Sequence, residues 1–345
     1  PNMEAMGLSN IAIMDGVKPQ INPTAAFGKM DEVSAGKDTT AGHWELAGIH
    51  LTQPFPMYPD GFPSQVMDTF VTQTGRGFLG NYPASGTVII EELGEEHLKT
   101  GKLIVYTSGD SVFQIAAHEE IVPIDDLYKY CKIAREILRG EHEVSRVIAR
   151  PFIGEPGNFI RTANRHDYSV VPPEATVLDN IKDAGLMVLG IGKINDIYVG
   201  QGITEAISTK SNKDGIEKTI KALRTQTDRG IIFTNLVDFD AKFGHRNNPQ
   251  GYADALAEFD QHLPQIMEVL SKDDILVITA DHGNDPTYPG TDHTREYVPI
   301  LVAGAAIQPV NLGIRSTFAD LAATIADIFD VKAPPQGISF KEGIF

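Results

Sequence analysis

Carboxylate and imidazole side chains lie next to each other where an apolar run of the sequence ends. Asp281 and His282 directly follow the run 275–280, and His293 comes shortly after them. Ligands collect at the C-terminal ends of strands in open parallel sheets. Side chains that offer both oxygen and nitrogen suit Mn²⁺ or Zn²⁺ better than Ca²⁺. The segment therefore predicts a metal site.

A second segment of the same kind lies upstream. Asp238 and Asp240 follow the apolar run 231–237, and His245 comes next. If the strand continues, side-chain alternation puts both aspartates on one face, so the pattern leaves open which of them binds a metal. A single Asp–His pair is more often a helix cap or a surface hydrogen bond. Three such groups, each at or beyond a predicted strand end, favour a metal centre.

The segment 36–45 places glycine, threonine and other small residues ahead of Trp44, the only tryptophan. A threonine hydroxyl at a helix start lies where main-chain N–H groups and the helix dipole favour a phosphate. A nearby metal would lower the pKa of that hydroxyl and activate it for attack on phosphorus. The ordinary alternative is a threonine that caps the helix. The order Gly-Lys-Asp lacks the spacing of a Walker A loop.

Five cationic side chains lie close together in sequence, within residues 146–166, in a chain whose formal net charge is −17. Arginine binds phosphate oxygens in a bidentate manner, so the group predicts a phosphate site, with a solvated basic face as the alternative. The overall charge argues against nucleic acid or an anionic membrane as a partner. The five are Arg146, Arg150, Arg161, Arg165 and His166.

Short apolar runs that alternate with helical patterns must position these groups. Such alternation predicts an α/β protein with a mainly parallel sheet flanked by helices. A run such as 275–278, apolar on both faces, is typical of a buried parallel strand. The strand-like runs are 103–107, 147–151, 187–190, 231–237, 275–279 and 299–303.

Two helices carry clear signals. Apolar residues from Leu256 to Leu270 form one stripe, and Pro264 within it is expected to kink or split the helix. The second helix covers 318–328, where Thr317 and Asp320 are spaced like a variant capping box.

Proline and glycine concentrate at the edges of the stretch from about 53 to 173. We interpret residues 55–170 as a smaller α/β domain inserted into a catalytic core made of residues 1–54 and 171–345. Cys131, the only cysteine, lies in an apolar helical pattern and is expected to be buried and inert. The sequence shows neither a long apolar span nor a signal peptide pattern, which predicts a cytoplasmic protein.

Together, these segments resemble phosphopentomutase, a member of the alkaline phosphatase superfamily. The similarity follows the family's order over nearly the whole chain. The matching segments are GKDTTAGHWEL, NYPASGT, VYTSGDSVFQIAAHEE, RVIARPFIGEPGNFIRT, NRHDY, NLVDFDAKFGH, NPQGY and ITADHGNDPTYPGTDHTREYVP.

The resemblance implies an enzyme that interconverts the 1-phosphate and 5-phosphate of ribose or deoxyribose through a phosphothreonine and a bisphosphate intermediate. Thr39 is then the phosphorylated nucleophile. The family uses two divalent cations, usually Mn²⁺, and a sugar bisphosphate activator. One cation would be held by Asp240, His245 and His293, and the other by Asp281 and His282.

The resemblance also implies the residues that contact the pentose phosphate. Asp110, Arg146 and Arg161 would do so from an inserted cap domain, and Lys193 from the core.

The family pattern begins with a strand whose final aspartate binds the second metal, and this sequence starts later in that pattern. Residues 10–16 look like that strand but lie too close to Thr39, so we interpret Asp15 as a surface turn residue. We therefore expect one metal ligand and its strand to be absent from this sequence. A truncated chain that binds metal without turnover is one alternative. Another is a different enzyme of the superfamily, such as a cofactor-independent phosphoglycerate mutase or a phosphomonoesterase. The sequence leaves the oligomeric state open.

Overall fold

The computed structural model describes residues 1–345, which form two compact units. The larger unit consists of Pro1–Pro54 together with Val171–Phe345, and the smaller unit is Phe55–Val170. None of the helices combines the length and the apolar composition needed to cross a bilayer.

Strands and helices alternate through most of the chain. The strands are β1 (Ala26–Met30), β2 (Phe78–Pro83), β3 (Leu103–Thr107), β4 (Val112–His118), β5 (Arg146–Glu155), β6 (Asn158–Arg161), β7 (His166–Ser169), β8 (Met187–Ile191), β9 (Glu205–Ile207), β10 (Gly230–Thr234), β11 (Leu276–Ile278), β12 (Val298–Ala303) and β13 (Asn311–Arg315). The α-helices are α1 (Asn2–Ala5), α2 (Leu8–Ile11), α3 (Thr39–Leu46), α4 (Ser64–Thr74), α5 (Gly86–Thr100), α6 (Ile124–Ile137), α7 (Val177–Asp183), α8 (Ile194–Ile197), α9 (Asn212–Thr225), α10 (Pro249–Val269), α11 (Ala319–Phe329) and α12 (Lys341–Ile344).

The larger unit contains two sheets. One is parallel, with strand order β10-β8-β9. The other is mixed, with strand order β11-β12-β1-β13, where β1 runs antiparallel to β12 and parallel to β13. The predicted α/β class is confirmed, with mixed sheets flanked by helices.

Strand β11 differs from its prediction. It lies at the end of its sheet, pairs antiparallel with β12, and its three residues are only partly buried. The expectation of a buried parallel strand at 275–278 was therefore wrong. An apolar run reports on burial of side chains but not on the direction of the neighbouring strand.

Helix α10 is continuous through Pro264, so of the two predicted outcomes, a kink or a split, the helix does not split. A proline has no N–H to donate to the carbonyl four residues earlier, which is that of Asp260. Here the side-chain amide of Asn2 donates to the Asp260 carbonyl at 2.8 Å. A partner distant in sequence thus satisfies the group that the proline leaves free.

Helix α11 begins without the predicted capping box. The Thr317 hydroxyl accepts a hydrogen bond from the Ala319 N–H at 3.0 Å. The Asp320 carboxylate is instead paired with Arg315 at 2.6 Å and accepts the Ile338 N–H at 2.7 Å. A buried carboxylate near an arginine gains more from that ion pair than from a helix N-terminus.

The smaller unit is built on a mixed sheet of order β2-β3-β4-β5-β6, with β7 paired to β5. Its main core lies between this sheet and helices α4 and α6. Cys131 is fully buried there, as predicted, and burial raises the pKa of its thiol. In the larger unit, Asp15 is exposed in a turn between Met14 and Val17, which confirms its prediction as a surface turn residue.

Candidate active site

The first group of candidate ligands forms around Asp240. Strand β10 ends at Thr234, and residues Phe239–Phe243 form a π-helical turn followed by a 3₁₀ turn. These turns bring His245 back towards Asp240, with Nε2 at 3.1 Å from Oδ1. Nε2 of His293 lies at 3.0 Å from the same oxygen. The structure therefore brings these three predicted ligands together.

The turn also separates the two aspartates that the sequence could not distinguish. Because the strand ends at Thr234, the condition under which Asp238 and Asp240 would share a strand face is not met. The Asp238 carboxylate accepts the Asn212 N–H and the Lys242 ammonium, both at 3.0 Å. Asp238 therefore ties β10 to helix α9, while Asp240 faces the two histidines.

Hydrogen bonds to main-chain carbonyls fix which ring nitrogen of each histidine carries a proton. His245 Nδ1 lies at 2.6 Å from the Thr291 carbonyl, and His293 Nδ1 at 2.8 Å from the Lys37 carbonyl. A carbonyl only accepts, so Nδ1 is the donor in both rings. In the neutral rings Nε2 then directs a lone pair at the Asp240 carboxylate. Acceptors that face each other at 3.0 Å require a cation or a shared proton between them, and this donor set fits a divalent metal.

The second group forms around Asp281, which lies beside the start of helix α3. Its Oδ2 accepts the Thr39 hydroxyl at 2.5 Å and lies 3.0 Å from His43 Nδ1 and 3.5 Å from His282 Nε2. The His282 and His293 rings stack with centroids 3.8 Å apart. The two groups are therefore adjacent, and Thr39 lies beside the second one.

Helix α3 reaches Asp281 because of a glycine. A Cβ atom at Gly42 would lie 1.5 Å from the Asp281 carbonyl oxygen, a distance that atoms cannot adopt. Asp38 begins the helix and accepts the N–H groups of Thr40 and Ala41 at 3.0 and 3.2 Å. Capping by Asp38 leaves the Thr39 side chain free to point at Asp281.

Both candidate ligand carboxylates are ionised at neutral pH. Burial by itself raises the pKa of Asp240, but hydrogen bonds from His245 and His293 in their protonated form outweigh it and hold that pKa well below its usual range. Burial also raises the pKa of Asp281, and the charges of His282 and His43 more than reverse that effect. A metal requires ligands in this ionised form.

The remaining predicted residue of the larger unit, Lys193, follows strand β8. Because β8 and β10 are parallel, Lys193 lies at the same sheet edge as the segment that carries Asp240. In the smaller unit, Arg146 is paired with Asp110 at 3.3 Å and with Asp167 at 3.7 Å. Arg161 lines a cleft of about 270 Å³ together with Arg150 and Arg165.

Known proteins resemble this chain over its full length. The model of the Metalloenzyme superfamily matches residues 1–333. A phosphopentomutase of Alkaliphilus metalliredigens is 58% identical over 345 residues, which cover 100% of this chain and 88% of the relative. The chain belongs to the phosphopentomutase family. The phosphopentomutase of Caldanaerobacter subterraneus is 59% identical, with 99% of this chain and 86% of the relative covered. For that of Clostridioides difficile, the identity is 56% and the coverage 100% and 89%.

A solved protein structure from Pyrococcus horikoshii shares the fold. It superposes with a TM-score of 0.50 over 96% of this chain and 90% of that chain, at 14% identity, which bears on the fold alone. Membership of the phosphopentomutase family confirms the predicted enzyme class, an intramolecular phosphotransferase that binds divalent metal.

The site includes residues that the sequence did not reveal. His43 contacts Thr39 and Asp281, and its position four residues after Thr39 on one helix face was the available signal. Asn284 donates to Asp240 at 2.8 Å. Lys37 and Arg295 contact segments distant in sequence, and no local pattern could have identified them.

Proposed function

We propose that this chain interconverts the 1-phosphate and the 5-phosphate of ribose or deoxyribose, with Thr39 as the residue that carries the phosphoryl group. The observation that supports this most directly is the 2.5 Å hydrogen bond from the Thr39 hydroxyl to Asp281, at the first turn of an α-helix. A hydroxyl placed in this way lies beside main-chain N–H groups and an ionised carboxylate, where a phosphate ester can form and break.

The reaction would begin with phosphate on Thr39 and a pentose monophosphate bound. The free sugar hydroxyl attacks the phosphorus atom and the bond from phosphorus to Thr39 Oγ1 breaks. The proton of the sugar hydroxyl ends on Thr39 Oγ1, so a pentose bisphosphate and a free threonine hydroxyl form. The other phosphate of the bisphosphate then returns to Thr39, and the isomeric monophosphate leaves. A sugar bisphosphate would also supply the first phosphate, which accounts for an activator of that class.

Two divalent cations, Mn²⁺ in our proposal, would be held by the two groups of ligands. Asp240, His245 and His293 form the first group, and Asp281 and His282 the second. Cations held there would supply positive charge to neutralise phosphoryl oxygens during in-line transfer. The chain's own part is to keep Nε2 of the histidines facing the metal and to hold Thr39 at Asp281.

The smaller unit would act as a cap that binds the pentose phosphate and excludes water, because a phosphothreonine exposed to water would hydrolyse. We propose Arg146, Arg161 and Asp110 as its substrate contacts, and Lys193 as a contact from the larger unit. Arginines bind phosphate oxygens, and the ion pair between Arg146 and Asp110 pre-orients both side chains. We place the enzyme in the cytoplasm.

A coupled assay of the Mn²⁺-loaded chain tests the proposal. Conversion of ribose 1-phosphate to ribose 5-phosphate is expected, with no turnover in Thr39→Ala and partial turnover in Thr39→Ser, which keeps a hydroxyl. Activity on 3-phosphoglycerate in place of ribose 1-phosphate would instead support the phosphoglycerate mutase alternative. Full activity in Thr39→Ala would contradict the assignment of Thr39.

A further inference from the structure

Arg295 makes an unusual number of hydrogen bonds to one loop. The loop comprises residues 32–38, which lead into helix α3, and we call it the nucleophile loop. Nη1 of Arg295 donates to the carbonyls of Glu32 and Ser34 at 3.2 and 2.9 Å. Nη2 donates to those of Ala35 and Gly36 at 3.0 and 2.9 Å. One guanidinium group thus holds four carbonyls of the segment just before Thr39.

Lys37 connects the same loop to a predicted metal ligand in both directions. Its ammonium donates to the His293 carbonyl at 2.6 Å and pairs with Asp292 at 2.7 Å. In return, the His293 Nδ1–H donates to the Lys37 carbonyl at 2.8 Å. The Lys37 carbonyl therefore decides which nitrogen of His293 is available to a metal, a role that outer partners of metal ligands commonly have.

The other side of the loop is tied to helix α3. The carboxylate of Glu45, which is fully buried, accepts the Val33 N–H at 3.0 Å and the Ser34 N–H at 2.7 Å. The N–H groups of the loop are thus attached to the helix that carries Thr39. The carbonyls of the loop are bonded to the segment that carries His293. Movement of the loop would shift both the nucleophile and the ligand.

We propose that Arg295 and Lys37 are positioning residues. They couple the position of Thr39 to the orientation of His293 in which Nε2 is available to a metal. This inference rests on the proposed role of Thr39 as the nucleophile. The side chain of Arg295 is 40% exposed, so its four hydrogen bonds contribute to the geometry of the loop rather than to a buried core. The loop and residues 292–295 act as one clamp, and loss of either positioning residue loosens both ends.

Two measurements on four variants test the clamp. The variants are Arg295→Met, Arg295→Lys, Lys37→Met and the control Arg229→Met. Arg229 is exposed and also donates to a main-chain carbonyl, that of Ile328, but lies outside the clamp. The first measurement is Mn²⁺ affinity by calorimetric titration without substrate, and the second is kcat and KM. Both are made on samples that show a cooperative thermal unfolding transition, which confirms that each variant is folded.

Both Arg295 variants and Lys37→Met are expected to bind Mn²⁺ about 10- to 100-fold more weakly. Their kcat is expected to fall by about 100-fold, because a shift of about 1 Å in a reacting group has that effect, while KM stays within about threefold. Arg295→Lys keeps the positive charge but not the four-carbonyl geometry, so it should behave like Arg295→Met. Arg229→Met should match the wild type.

Wild-type Mn²⁺ affinity in the clamp variants, or full recovery in Arg295→Lys, would overturn the proposal. Full recovery would mean that only the positive charge of Arg295 matters, and not its four hydrogen bonds. The titration needs neither substrate nor turnover. If Thr39 is not the phosphorylated residue, the proposed function fails, but the Mn²⁺ affinities still decide whether the clamp holds His293.

Discussion

A single methyl group at Gly42 is expected to disable the site. The added Cβ would lie 1.5 Å from the Asp281 carbonyl oxygen, whereas real Cβ atoms essentially never approach closer than 3.0 Å. Helix α3 and Asp281 must therefore separate by at least the difference, 1.5 Å. This would break the 2.5 Å hydrogen bond between Thr39 and Asp281. Misplacement by about 1 Å lowers rates by about 100-fold, so Gly42→Ala should lose at least that factor in kcat.

The same substitution should also lower stability, since overpacking a core costs about 1–3 kcal/mol. Steady-state kinetics with Mn²⁺ and urea unfolding would measure the two effects together. Gly343→Ala is the matched control, because nothing lies within 4 Å of a Cβ at that position in helix α12. A Gly42→Ala enzyme with wild-type kcat would refute the claim that close approach of α3 to Asp281 places Thr39.

Two further predictions concern buried groups beside the site. His43 Nδ1 lies 2.8 Å from the Thr39 carbonyl and 3.0 Å from Asp281 Oδ2, so His43→Leu should lower kcat by about 10-fold or more, whereas His43→Asn, which keeps an N–H near that position, should recover most of it. Equal loss in both variants would show that the ring matters only for packing. Burial raises the pKa of Glu32 from 4.5 to about 8, even though Arg295 opposes the shift. Because the folded state holds the proton more tightly, this contribution to stability is complete below pH 4.5 and is lost as the pH rises through 8. The wild type should therefore lose about 2 kcal/mol relative to Glu32→Gln between about pH 6 and 8, measured by urea unfolding, and parallel pH profiles would contradict this cause.

Strand ends were the part of the site that the sequence could predict. Asp281 and His282 do follow strand β11, and His293 joins them, because an apolar run that stops at polar residues marks a sheet edge. The choice between Asp238 and Asp240 could not be made, since it depends on a π-helical turn with no pattern in the sequence.

The same limit applies to the fold, because sequence patterns report on neighbouring residues and not on contacts between distant ones. The α/β class follows from alternating local patterns, yet strand β1 was missed because its sequence AFGKM is not a continuous apolar run. The carbonyl that Pro264 leaves free in helix α10 is bonded by Asn2, which is 258 residues away from its partner. Local rules for Pro264 could not include that contact. The clamp around Arg295 was hidden for the same reason.

The proposal that Thr39 carries the phosphoryl group is tested most directly by locating the phosphate. The Mn²⁺-loaded chain would be incubated with a pentose 1,5-bisphosphate, digested and analysed by mass spectrometry. We predict phosphate on Thr39 in the wild type and none on the corresponding peptide of Thr39→Ala. Phosphate on Thr40 or on a residue outside helix α3, or turnover without any phosphorylated peptide, would contradict the account.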